Sequence, residues 1–117
     1  IPLLYRFHPY RPKRKTFPNK NIEFFGYDYW PTSAVNEMRK MANRTRKILH
    51  EVACPALVIH SRADLLSPQS NISIVYDNIS SNYKEKFIVE KAGHNLFAKN
   101  PNQNIIFQKV LSFLQQF

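Results

Sequence analysis

Apolar and polar residues follow different rhythms along this chain, and each rhythm predicts a different element. Residues 1–30 show no sustained period. Pro2, Pro9, Pro12 and Pro18 prevent a continuous helix there, so the stretch reads as extended and loop-rich. From residue 31 to 50 the period becomes helical. Val35, Met38, Met41, Ala42, Ile48 and Leu49 fall on one face at about 100° per residue, and Arg39, Lys40, Arg44, Arg46 and Lys47 on the other. Pro31 suits the first helical position.

After residue 50 the rhythm changes again. Ala56-Leu57-Val58-Ile59 is a short apolar run that predicts a strand buried on both faces. Ser67-Pro68 offers a helix N-cap and first-turn proline, and Ile72, Val75, Tyr76 and Ile79 follow as one helical stripe. Residues 86–90 read as a second strand, broken by the loop Lys91-Ala92-Gly93-His94-Asn95. Asn100-Pro101 opens a last helix with Ile106, Val110, Phe113, Leu114 and Phe117 along its apolar side. Two strands joined by a helix are expected to run parallel. The order is that of an α/β protein, and two strands alone suggest the edge of a larger sheet.

Composition narrows the chemistry. The chain has 117 residues but two glycines, Gly26 and Gly93, so no Gly-rich phosphate loop, dinucleotide fingerprint or Gly-x-Ser-x-Gly turn can be written. Cys54 is the single cysteine; it forms no internal disulfide and is expected to be buried beside its strand. His8, His50 and His60 lack ligand spacing, and no metal site is expected. His60 ends an apolar run and reads as a core or supporting residue. No apolar run approaches the roughly 18 residues of a membrane span, and no signal-peptide pattern opens the chain. Ile1 stands where a Met would begin a primary product, so a processed product or a piece of a longer chain is expected. Asn43, Asn71 and Asn78 open glycosylation sequons, which an Asn-rich chain produces by chance.

The net charge of +9 is unevenly placed. Residues 1–50 hold eleven Lys and Arg against three acids, whereas residues 51–117 hold six against five. Arg11, Lys13, Arg14 and Lys15 lie among Tyr5, Phe7, Tyr10 and Phe17, a mixture able to grip single-stranded nucleic acid. The basic amphipathic helix could equally rest on an anionic membrane. These features support one functional reading, a basic binding module formed by residues 1–50. The plainer reading is a solvated surface; no nucleic-acid motif is present, and a nucleic-acid partner is not expected.

Ligands of open α/β sheets bind beyond the carboxyl ends of the strands. Asp64 follows the first predicted strand and His94 the second, so neighbouring strands would deliver both to one edge. There a carboxylate can fix the tautomer of the imidazole and stabilise its cation, which makes histidine a general base. Gly93 would permit a turn that aims His94. From the pattern alone a second reading stays open: Asp64 caps a turn and His94 is satisfied within its loop.

The segment Cys54-Pro55-Ala56-Leu57-Val58-Ile59-His60-Ser61-Arg62-Ala63-Asp64-Leu65-Leu66-Ser67-Pro68 resembles the strand-and-acid segment of α/β-hydrolases. The similar branch contains monoacylglycerol lipases, carboxylesterases and serine aminopeptidase-like enzymes. Ala92-Gly93-His94 resembles that family's catalytic-histidine loop, and acid before histidine is the family's order. Tyr27-Asp28-Tyr29-Trp30-Pro31 and the helix after it resemble the return from the cap into the core. The resemblance implies an α/β fold that is the C-terminal part of an α/β-hydrolase, with residues 55–60 and 86–90 as its last two parallel strands plus flanking helices. Residues 1–50 would be a cap or lid remnant with its connecting amphipathic helix, and residues 51–117 the C-terminal part of the core.

By the same resemblance, Asp64 and His94 are the acid and base of a Ser-His-Asp triad, and Phe7, Tyr10, Tyr27 and Trp30 line an acyl-chain site. The implied activity is that of a serine esterase or lipase on ester or amide bonds, with a small ester or lipid-like substrate and no cofactor. The serine in its glycine-flanked turn and the oxyanion-hole loop are missing. Each lost oxyanion donor is worth about 3–4 kcal/mol, so the chain alone is expected to be inactive. Its expected partners are the N-terminal remainder of the same protein and another copy paired through the open sheet edge. A cytoplasmic location is expected.

Overall fold

The computed structural model describes residues 8–12 and 28–117. Phe7, Tyr27, Lys13, Arg14 and Lys15 lie outside the described residues. The chain divides into two compact units, Ile1–Ile48 and Leu49–Phe117.

In the first unit, β1 (Tyr10–Pro12) and β2 (Tyr29–Pro31) pair antiparallel, with Tyr10 opposite Pro31, Arg11 opposite Trp30 and Pro12 opposite Tyr29. This ribbon was not legible in a stretch broken by prolines. It exists because Pro12 and Pro31 sit at its ends, where a missing N–H costs little. Helix α1 (Thr32–Ile48) begins one residue later than expected, Pro31 being spent on the ribbon. The Thr32 hydroxyl donates to the His8 carbonyl at 2.6 Å and its N–H to Pro9 at 2.8 Å, which anchors the helix start. The face carrying Met38, Met41 and Ile48 is exposed, while Thr32 and Asn36 are buried.

The second unit opens with a short 3-10 turn, Leu49–Glu51, whose Leu49 is buried. Strand β3 (Ala56–Ser61) and strand β4 (Lys84–Val89) then pair in parallel, from Ala56 opposite Lys84 to Ser61 opposite Val89. Between them runs α2 (Ser70–Asn78), and α3 (Gln103–Leu114) ends the chain. Strand β3 is half-buried from Ala56 to His60 rather than buried on both faces; only Ser61 is fully enclosed. Cys54 is exposed, contrary to expectation, because residues 52–55 precede the ladder and pack in neither strand nor helix.

Boundaries differ from the sequence reading where polar side chains find partners. Strand β4 begins at Lys84 because its charges are satisfied. The Lys84 ammonium donates to the carbonyls of Tyr76 and Ile79, both at 2.9 Å, at the C-terminal end of α2, and Glu85 pairs with Lys109 of α3. Helix α2 starts at Ser70 rather than directly after Ser67, whose hydroxyl accepts the side-chain amide of Asn71 at 2.9 Å instead of a backbone N–H of the helix. In α3, Ile106 and Phe113 are buried while Leu114 is exposed; Phe117, also exposed, packs edge-on against Tyr83 at 4.9 Å between ring centroids.

The core under the strand ends consists of Val89, Ala92 and Ile106, with Ile59, Phe87 and Leu96 packed against it. Gly93 follows Ala92 with an ordinary negative φ, and a Cβ added there would meet nothing within 4 Å. The expectation that Gly93 supplies a special turn is therefore corrected: the loop's path asks nothing of glycine.

Two outcomes follow for stability. Ile106→Ala removes a side chain with 0% exposure and should cost about 2–5 kcal/mol in urea unfolding, whereas Leu111→Ala on the exposed side of α3 should stay within about 0.5 kcal/mol. Equal losses at the two positions would place the core elsewhere. Gly93→Ala should stabilise by about 0.4–1 kcal/mol through the unfolded chain, and a clear destabilisation would show that glycine is required after all.

Candidate active site

The parallel register ends both strands level, and that brings the loops after them together. Asp64 lies three residues past the end of β3, and His94 five residues past the end of β4. The imidazole Nδ1–H of His94 donates to Asp64 Oδ2 at 2.9 Å. The other carboxylate oxygen, Oδ1, accepts the N–H of Leu66 at 2.8 Å and of Ser67 at 3.0 Å. The two readings left open by the pattern are thus not alternatives. Asp64 caps its turn with one oxygen and holds the histidine with the other.

Exposure divides the pair's roles. The Asp64 side chain is 6% exposed and that of His94 54%. Among the described residues, the other ring nitrogen of His94 makes no hydrogen bond, so the face opposite the carboxylate is open for proton exchange. Burial pushes the Asp64 carboxyl up, but the hydrogen bonds from His94, Leu66 and Ser67 and the nearby His94 charge outweigh it. The carboxyl ends below the usual aspartate value and stays ionised at neutral pH.

A third group faces the same carboxylate. His60 Nε2 lies 3.8 Å from Asp64 Oδ2, too far for a hydrogen bond, and its side chain is 11% exposed. Both of its ring nitrogens are buried without a hydrogen-bond partner. His60 thus lies mostly enclosed beside the acid, at the end of its apolar run, and makes no hydrogen bond to it.

Of the proposed acyl-site aromatics, the structure describes Tyr10 and Trp30. Phe7 and Tyr27 lie outside the described residues. Tyr10 and Trp30 are exposed in the first unit, and the ribbon's register sends them to opposite faces, since Trp30 stands opposite Arg11, the neighbour of Tyr10. No group of three or more His, Cys, Asp or Glu suited to a metal occurs among the described residues. No described helix is long and apolar enough to cross a membrane.

The residue that sequence reasoning passed over is Ser61. It stands in the sequence reading only as one letter of the strand-and-acid segment, yet it is a buried polar residue at the strand end, three positions before the acid. A hydroxyl closing an apolar run was the available signal, because a buried hydroxyl must find partners. Here its partners are in the two site loops: the hydroxyl donates to the Ala92 carbonyl and accepts the Ala63 N–H at 3.1 Å.

No family model matches the chain. It is 26% identical over 95 residues to a thermostable monoacylglycerol lipase of Bacillus sp. (strain H-257), a match covering 81% of the chain and 38% of that lipase. A solved structure from work on LipS and LipT, two metagenome-derived lipolytic enzymes, superposes with a TM-score of 0.81 at 23% identity. That match covers 94% of this chain and 45% of the other, so the chain spans less than half the length of either protein. The parallel strand pair, its flanking helices and these two matches establish a relationship to the α/β-hydrolases over a C-terminal portion of their fold.

Proposed function

We propose that this chain carries the acid and the base of a Ser-His-Asp triad, in a serine hydrolase that cleaves ester bonds of lipid-like substrates. The observation that carries the reading is the 2.9 Å hydrogen bond between His94 Nδ1 and a buried, ionised Asp64, on a ring otherwise open to solvent. The lipolytic activity named for both similar proteins supports the substrate class.

The chemistry follows from the pair. With Nδ1–H held by Asp64, the lone pair of His94 resides on Nε2, the nitrogen facing away from the carboxylate. Nε2 takes the proton of a serine hydroxyl as the oxygen attacks the ester carbonyl. The imidazolium formed is stabilised by the Asp64 charge, and Nε2–H then protonates the departing alkoxide. Water repeats the sequence on the acyl-enzyme and regenerates the serine. The serine and the oxyanion donors belong to a part of the protein outside this chain, since none of its serines stands in a glycine-flanked turn.

In the intact protein, Asp64→Asn should lower kcat by about 10⁴-fold, and His94→Ala by at least as much, against a short-chain chromogenic ester. A fluorescent organophosphonate should label the intact protein and leave the 117-residue chain unlabelled. Full turnover in either variant removes that residue from the mechanism, and labelling of the chain alone would place the nucleophile within it.

The depressed carboxyl also has a signed consequence for stability. A group whose folded pKa lies below its unfolded value of about 3.9 stabilises the fold above that value and ceases to as pH falls through the folded one. Glu85, lowered by its hydrogen bond to Lys109, acts with the same sign, so the Asp64 share must be read as a difference. Urea unfolding of wild type and Asp64→Asn from about pH 6 to about pH 2 should show a gap that closes at the acid end. A gap that stays constant would show that the Asp64 charge does nothing for the fold.

A further inference from the structure

We propose that Ser61 is the positioning residue of the Asp64–His94 pair, its buried hydroxyl and carbonyl fixing the acid's turn against the base's loop. The proposal rests on the reading of these two residues as acid and base.

Ser61 is the last residue of β3, stands level with Val89 at the end of β4, and is 1% exposed. It reaches both loops at once. On the acid's side its Oγ accepts the Ala63 N–H at 3.1 Å, and its carbonyl accepts the Asp64 N–H at 3.2 Å. On the base's side its hydroxyl donates to the carbonyl of Ala92, two residues before His94. One residue therefore sets the backbone of the acid directly and that of the base through a single intervening residue.

The other ties between the loops cannot do this alone. The Arg62 N–H donates to the Val89 carbonyl at 2.8 Å, but Val89 still belongs to the strand, five residues from the base. Arg62 and Glu90 pair at 2.7 Å with both side chains more than half exposed, a geometry that solvent weakens. Gly93 imposes no special backbone, and residues 93–95 are exposed, so nothing packs around the base to hold it. Ala92 is the anchor of this loop: its side chain sits in the core with Val89 and Ile106, and its carbonyl rests on Ser61. Without the Ser61 hydroxyl, that carbonyl and the Ala63 N–H both lose their partner. The cost then falls on the two loops whose alignment the hydrogen bond of His94 needs.

The test uses the intact protein and two variants, Ser61→Ala and Ser61→Gly, the second leaving no methyl in the enclosed site. Both are studied below their melting temperatures, beside Phe113→Leu, a destabilised control whose side chain is buried in α3 away from the loops. The first readout is the proton resonance of His94 Nδ1–H, assigned by its loss in His94→Gln; the second is ester turnover. In both Ser61 variants the resonance should broaden or vanish, and kcat should fall about 10–100-fold with little change in KM. Phe113→Leu should keep the resonance and kcat despite its lower melting temperature. Persistence of an unshifted resonance in either Ser61 variant overturns the proposal. A lost resonance with unchanged turnover leaves Ser61 as the tie between the loops and removes the acid–base reading, so the two failures are told apart.

Discussion

Everything at the site depends on one register. Six residues of β3 pair in parallel with six of β4, and Ser61 and Val89 finish the ladder side by side. Parallel strands make both chains leave the sheet at the same edge, and equal lengths make them leave at the same height. An offset of one pair would move one loop by about 3.3 Å relative to the other, more than the 2.9 Å hydrogen bond between His94 and Asp64 could absorb. The polar residues at the start of β4 protect this register. Lys84 closes the end of α2 and Glu85 holds α3 through Lys109, so a slipped ladder would strand two charges as well as misalign the loops.

The carboxylate of Asp64 links this scaffold to chemistry by splitting its two oxygens between tasks. Oδ1 belongs to the fold, fastening the turn that leads to α2 through Leu66 and Ser67. Oδ2 faces His94 at bonding distance and His60 at 3.8 Å. The same hydrogen bonds that shape the turn keep the group ionised despite its burial, so structure and electrostatics have one cause. Ser67, the residue expected to cap α2, gives its N–H to this carboxylate, and the helix begins three residues later at Ser70.

How much of this was legible in the sequence differed with the kind of force involved. Apolar periodicity located both strands, α2 and α3, because burial selects residue types at fixed spacing. Chain order and the strand ends placed Asp64 and His94 at one edge, and the structure brings them into contact. The ribbon of β1 and β2 left no periodic trace, being three residues long on each side. Burial of Cys54 and a special turn at Gly93 were inferred from residue type alone, and in both cases the backbone decided otherwise. Ser61 escaped for a related reason: a serine's composition says nothing of which carbonyl its hydroxyl will meet, and that partner lies 31 residues away.

The balance of forces at the site explains why such polar detail matters here. The apolar core beneath the loops is small, with Val89, Ala92 and Ile106 enclosed and most of β3 and β4 only half-buried. A core of that size fixes where the loops start, through Val89 and Ala92, but it does not reach His94, whose ring is more than half exposed. From Ala92 outward, orientation is carried by hydrogen bonds, which are directional where apolar contact is not. Beyond Ala92 itself, the path from core to base has two such bonds among the described residues: the Ser61 hydroxyl on the Ala92 carbonyl, and the Asp64 carboxylate on the imidazole. Both originate between the last residue of β3 and the acid, at Ser61 and Asp64. The base is thus held chiefly from the acid's side of the sheet edge, and the strand that delivers it contributes mainly its starting point.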